Sequence, residues 1–394
     1  MDRLTATRLI HWIRLEQPAP EHLLSGEWNA VIDAAERAGV LGLVASRVLA
    51  LAEELPEDLR SDLRRRLRSF ARHHGYYFIE AERVTTALAK LSIPSVVLKG
   101  VGLARSVYQD PAQRTFRDLD LLVPEDALEG AVGCVEALGY RMLTSGPLRE
   151  VYRRLHFHHI FEGHAKPRLE LHWGLTRVGE SCRLPAKGLL ERAVPAQGGG
   201  TFLVPAPEDQ LMHATLNLLR GGFTELKRLV DIDRLLRSHS ELVSQALATQ
   251  ASRAGLARAL RLALELGATL LNSPANVALD RIPPLPGRCQ QRLSCLRPER
   301  FPLRMPPSTW PFAPRWLRAQ LGKRPLVELL SYVRRMPFER ARLRALGASR
   351  SGQLLATSKR AALVALLLLR ITGLKLSDHH FTPLLDEVDP RPNS

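Results

Sequence analysis

Apolar positions recur at helical spacing through the first ninety residues. Trp28, Ile32, Ala35, Val40, Leu43 and Val44 follow that period. Over residues 58–73, Leu59, Leu63, Leu67 and Phe70 fall at i, i+4, i+8 and i+11 among Arg60, Arg64, Arg65, Arg66, Arg68 and Arg72. This spacing predicts an amphipathic helix with a basic outer face. The pattern changes near Ser92. Ile93-Pro94-Ser95-Val96-Val97-Leu98 is short, β-branched and opened by proline, as a buried strand is. Lys99-Gly100 follows, then a short helix over 101–109 and a turn at Asp110-Pro111. Strands are predicted over 116–123, 151–161 and 168–173, and a helix over 125–138 that Gly139 would end. Helical periodicity returns at 208–220 and 225–238, and the stretch 251–271, rich in Leu and Ala, also reads as helical. Prolines then cluster from Pro283 to Pro314, two or three further helices close the chain, and 386–394 reads as a polar tail.

These elements divide the chain into a helical region at 1–90, a mixed α/β core at 91–205, a second helical region at 206–295, and a Pro-rich segment with C-terminal helices at 296–394. The expected fold class is α/β, a mixed-sheet core flanked by N- and C-terminal helical regions. With 394 residues, 45% of them hydrophobic, a sizeable core forms without covalent staples. The four cysteines make no C-x-x-C pair, which argues against a structural zinc or disulfide framework and fits a reducing cytoplasm. Neither a signal peptide nor a spanning helix is read. The longest apolar run, Ala361 to Leu369, is about half of what a membrane crossing needs. The net charge of +16 favours anionic partners, although the excess is spread along the chain.

Candidate chemistry begins at Asp118-Leu119-Asp120-Leu121-Leu122-Val123. Residues two apart on a strand share a face, and two carboxylates on an apolar strand are costly to bury unpaired. A divalent cation resolves the conflict, and Mg²⁺ held by one or two carboxylates plus substrate phosphates is the expected form. Lys99-Gly100, between a strand and a helix start, has the outline of a phosphate-binding turn. Glu170, alternating with Leu169 and Leu171, supplies a third carboxylate from another strand, and His172 shares its face. Three carboxylates permit two metals and in-line displacement at phosphorus.

The set Leu98-Lys99-Gly100, Tyr108, Arg114, Asp118-x-Asp120-Leu-Leu-Val and Glu170-Leu-His172-Trp173 resembles the bacterial family described as uncharacterised nucleotidyltransferases, within the polymerase-β-like superfamily. Flanking likeness at Trp28 to Leu43 and at Pro207-Glu208-Asp209 extends it over roughly residues 20–240. The resemblance implies Asp118, Asp120 and Glu170 as catalytic, metal-binding acids and Gly100 as the superfamily's glycine. Lys99, Gly100, Arg114 and His172 form the expected nucleotide-binding set. Val101 stands where that superfamily has a serine, which shifts phosphate binding onto Lys99, backbone N–H groups and Arg114.

The implied reaction is Mg²⁺-dependent transfer of a nucleotidyl group from an NTP, ATP above all, to a hydroxyl. The acceptor stays open among peptide (a ribosomal peptide natural product included), saccharide and RNA. Two alternatives stay open as well: kinase-like phosphoryl transfer on the same fold, and a non-catalytic nucleic-acid-binding module. The basic helix at 58–73 and the Pro-rich segment at 296–314 are expected to flank the cleft and take an anionic acceptor, or else only to solubilise the surface. His156, His158, His159 and His164 lack a Cys or paired carboxylate for a zinc set, though one of them could approach the phosphates. Asp231-x-Asp233 lies in a helical context and reads as a polar helix face from which Asp231 could approach the cleft.

Overall fold

The computed structural model describes residues 3–290, apart from 15–24, 53–54, 177–179, 181, 198–200, 222, 224, 276–278, 286 and 288–289. The Pro-rich and C-terminal expectations for 296–394, including the apolar run at 361–369, lie outside the described residues. Four helices open the chain: α1 (Arg3–Ile13), α2 (Ser25–Arg37), α3 (Leu41–Leu51) and α4 (Glu57–Lys90). The core follows as β1 (Val96–Val97), α5 (Lys99–Ser106), a 3₁₀ turn at Pro111–Gln113, β2 (Asp118–Leu122), α6 (Leu128–Ala137), β3 (Arg141–Met142), α7 (Pro147–Leu155), β4 (His158–Glu162) and β5 (Arg168–His172). Then come α8 (Ala186–Glu191), β6 (Val194–Pro195), β7 (Leu203–Val204), α9 (Pro207–Arg220), α10 (Leu226–Ser238), α11 (Gln245–Arg253) and α12 (Ala257–Leu271).

The seven strands found among the described residues form one mixed sheet in the order β3-β4-β5-β2-β1-β7-β6. β2 lies at its centre, parallel to β5 and antiparallel to β1. Its period-two alternation sorts the two layers. Leu119 and Leu121 point into an apolar cluster with Val84 and Leu88 of α4, Ala131 and Val135 of α6, and Leu169 and Leu171 of β5. Leu122, on the opposite face, joins a second cluster built from α1–α3 and α9–α12. Helices from both ends of the described chain thus pack in one layer, and Arg14 Nε donates to the carbonyl of Leu270 at 2.9 Å. The carboxylates of β2 belong to this helical side of the sheet.

Two local expectations need correction. The predicted strand over 151–161 is split, because 147–155 forms α7 and only 158–162 is strand. Alternating Tyr, Leu, Phe and His residues concealed the switch, but Glu150 and Arg154 form an i,i+4 ion pair that suits a helix. The predicted helix at 251–271 is two, broken at Gly255, whose φ of +70° or so is tolerated at little cost without a side chain (φ 69°). Among the described residues no helix is long and apolar enough to cross a membrane.

Candidate active site

The in-register pairing of β2 with β5 sets Asp118 opposite Arg168, Asp120 opposite Glu170 and Leu122 opposite His172. Asp120, Glu170 and His172 therefore share one face of two adjacent strands. Antiparallel β4 adds His158, the cross-strand partner of His172. From β1, the chain turns into α5 through Lys99, whose φ of 45° lies in the left-handed region that residues with a Cβ rarely adopt. That turn sends the Lys99 ammonium to the carboxylates, 2.5 Å from Asp120 Oδ1 and 3.7 Å from Glu170 Oε2. His172 Nε2 lies 2.9 Å from Asp120 Oδ1 and 3.5 Å from Glu170 Oε2, and His158 Nε2 lies 3.8 Å from Glu170 Oε2.

The two edges of the Asp120 carboxylate differ. Oδ1 is held by Lys99 and His172, while Oδ2 is buried and has no hydrogen-bond partner among the described residues. An unpartnered buried carboxylate oxygen costs free energy unless a cation or donor meets it. The acids titrate accordingly. Burial and the neighbouring Asp120 push Asp118 up to about 6, against which Lys99 acts only in part. Burial would also raise Asp120 and Glu170, but Lys99 and His172 overcome it. Asp120 is held below its usual range and Glu170 at about 2. Burial opposes the charge on Lys99, yet Asp120, Glu170 and Asp118 raise its pKa above the ordinary lysine value.

These groups open on a cleft of about 1190 Å³ between the sheet and the helical layer. Lys99, Gly100, Arg114, Asp118 and Asp120 line it, with Phe70, His73 and His74 of α4, His213 of α9 and Lys227 and Asp231 of α10. Glu170 and His172 stand behind the carboxylate pair, and His172 has no exposed surface. Its ring addresses Asp120 and Glu170, so an enclosed position behind the acids replaces the open position expected for a nucleotide contact. Gly100 is required by packing as well as by any ligand, since a Cβ there would lie 2.6 Å from Phe116 Cβ. Arg114 is largely committed: Nε and Nη2 donate to the two oxygens of Asp231 at 2.7 and 2.8 Å. Nη1 stays beside Gly100.

Several lining groups were not singled out from sequence. Lys227 enters the cleft at the start of α10, forms no ion pair among the described residues, and has its pKa lowered by burial. His213 is kept neutral by burial, with Lys99 and Arg220 adding to the effect. A lone His in the apolar run Met212-His213-Ala214 was the available signal; Lys227 left none, because an Arg/Lys-rich helix start is common. The Asp231-x-Asp233 reading as a polar helix face is overturned. Both side chains are buried, Asp231 accepting from Arg114 and Tyr108 and Asp233 from Ser273, Arg234 and Arg237. Asp231 does line the cleft.

The basic helix flanks the cleft too, but through Phe70, His73 and His74, while Arg64, Arg65, Arg68 and Arg72 lie on its exposed side. The 58–73 arginines therefore do not line the site. The histidine set also differs from expectation: His158, Glu170 and His172 offer ligand atoms within 4.8 Å of one another, a carboxylate-completed group created by pairing β4 with β5.

The sequence profile described as "Uncharacterised nucleotidyltransferase" matches residues 25–272, well over half of the chain and the whole of the cleft just described. No curated protein matches. Among solved structures, the antibiotic-resistance factor ANT(2'')-Ia is similar over 45% of this chain and 90% of its own, at 15% identity and a TM-score of 0.33.

Proposed function

The chain belongs to the uncharacterised nucleotidyltransferase family, and from that premise we propose that it transfers a nucleotidyl group from an NTP, ATP first among them, to an acceptor hydroxyl at the Asp118–Asp120–Glu170 cluster. The observation that carries this reading is the Asp120–Glu170 cross-strand pair at a cleft, with Asp120 Oδ2 buried and unpartnered. Three carboxylates against one lysine leave surplus negative charge in a half-enclosed place, and hard oxygen donors of this kind suit Mg²⁺. Asp118 and Asp120 are the residues that would hold it, with Glu170 beside them adding to the negative charge of the cluster. Bound there, the cation supplies charge neutralisation and Lewis acidity toward phosphate oxygens.

The chain's own groups then divide the work. Lys227, which makes no ion pair among the described residues, would meet the triphosphate from the α10 wall, and the N–H groups at the start of α5 would add donors. Arg114 acts chiefly through Asp231, holding α10 and hence Lys227 against the cleft. His172 orients the Asp120 and Glu170 carboxylates. The acceptor oxygen forms a bond to the α-phosphorus, the bond from that phosphorus to the bridging oxygen breaks, and pyrophosphate leaves. The hydroxyl proton passes to water or to a site carboxylate. Phe70, His73 and Phe116 give the cleft an aromatic wall suited to a base or a sugar face.

The test is incubation with Mg²⁺ and ATP labelled at the α- or the γ-phosphate, with cell extract fractionated into peptide, RNA and saccharide pools. Label from the α-position in one pool is the expected result and identifies the acceptor. Label from the γ-position alone would replace nucleotidyl transfer by kinase-like phosphoryl transfer. Nucleic-acid binding that persists in Asp118→Asn, with no label in any pool, would replace catalysis by binding.

A further inference from the structure

We infer that Lys99 fills one of the two cation positions of the carboxylate cluster, so that the site takes a single divalent cation together with its nucleotide. The inference rests on the nucleotidyltransferase reading above and specifies how many metal ions that site uses. A two-metal cluster places its ions roughly 3.5–4 Å apart, with carboxylates shared between them. Asp120 is the central acid here, and its two oxygens differ in what they meet. The Oδ1 side is occupied: Lys99 Nζ sits 2.5 Å away and also 3.7 Å from Glu170 Oε2, so the ammonium already supplies a positive charge shared by these two carboxylates. His172 Nε2 closes the same edge, at 2.9 Å from Oδ1 and 3.5 Å from Glu170 Oε2, and His158 stands 3.8 Å from that glutamate oxygen. The Oδ2 atom is buried and unpartnered among the described residues, and Asp118, two residues earlier on β2, shares its face of the strand.

The ammonium is not a stray side chain. Lys99 is held in a left-handed backbone conformation between β1 and α5, a junction pinned by Leu98 N–H donating to the Asp120 carbonyl at 2.9 Å. The foot of the side chain is thus fixed beside the cluster, and the contacts to Asp120 and Glu170 hold its ammonium there. The cation that accompanies the nucleotide then binds Asp118 and Asp120 Oδ2, while Glu170 serves to anchor Lys99 and His172.

The bound ratio of metal to nucleotide decides the matter. Equilibrium dialysis with Mn²⁺ and α,β-methylene-ATP, which cannot transfer its α-phosphoryl group, is expected to give one Mn²⁺ per bound nucleotide in the wild-type protein. Lys99→Met, which keeps the aliphatic stem, is expected to give two. Glu170→Gln is expected to keep the ratio at one. Two Mn²⁺ in the wild-type protein, one in folded Lys99→Met, or loss of the nucleotide-dependent Mn²⁺ in Glu170→Gln would each overturn the inference. Nucleotide bound with no Mn²⁺ is a different failure: it removes the metal-dependent reading of the site and the inference with it.

Discussion

Two Asp-x-Asp pairs occur in this chain, and the structure treats them in opposite ways. Asp118 and Asp120 lie on a strand, so both point to the helical side of the sheet. Asp231 and Asp233 lie on α10, where residues two apart diverge by about 200°. The helical pair is saturated. Asp231 receives a two-point guanidinium contact from Arg114 and a hydroxyl from Tyr108, and Asp233 receives Ser273 and two arginines. The strand pair shares one lysine and one histidine with Glu170 and leaves a buried oxygen unmet. Equal spacing thus serves two purposes. Where every lone pair is matched inside the protein, the carboxylate is scaffold; where negative charge is left over beside a cleft, the missing partner comes from outside.

The comparison is broken or sharpened by making one substitution at both sites. The largest effect is expected on activity. Asp118→Asn should lower transfer by roughly 10³-fold or more, about 4 kcal/mol of barrier, with an unchanged circular dichroism spectrum. Near-normal turnover would remove Asp118 from the reaction. Asp231→Asn should act on stability instead. It leaves the Arg114 guanidinium buried without its counter-charge and should cost about 3–5 kcal/mol in urea denaturation. A loss below about 1 kcal/mol would mean that water enters to replace the carboxylate.

A smaller effect of opposite sign is expected for Asp118→Asn in metal-free buffer. Burial and Asp120 raise the Asp118 pKa from 3.8 to about 6, so the folded protein binds that proton more tightly than the unfolded chain does. The wild type should lose stability as pH rises from about 4 to about 6, and the deficit is complete above that range. Asn removes it. The variant should exceed the wild type by on the order of 1–3 kcal/mol at pH 7 and match it near pH 4. Equal stability at both pH values would show that the strand pair is satisfied after all. The smallest effect belongs to the exposed arginines of α4. The combined change of Arg64, Arg68 and Arg72 to Ser should alter stability by about 0.5 kcal/mol or less per site and leave nucleotide affinity unchanged. A loss of acceptor binding there would restore the basic face as part of the working surface.

What the sequence by itself determined follows from short-range physics. Period-two alternation placed Asp118 and Asp120 on one face of a strand, and the same period placed Glu170 and His172 together. Helical periodicity located α4, α9 and α10, since amphipathic spacing is a local property of the chain. It misread 151–161, where aromatic and histidine residues suit either a strand or a helix, and it read Asp231 and Asp233 as solvated. The second error has a long-range cause: the partners that make burial tolerable, Arg114 and Ser273, lie 117 and 40 residues away. Only tertiary structure decided that β5 runs beside β2 in a register that sets Glu170 against Asp120, and that β4 brings His158 to the same acids. Only tertiary structure turned the Arg face of α4 outward while its Phe70–His74 face met the cleft, and brought Lys227 across from α10. Strand order, register and helix packing are set by the burial of whole faces against one another. A charge left without a partner is therefore visible only once every possible partner has been placed.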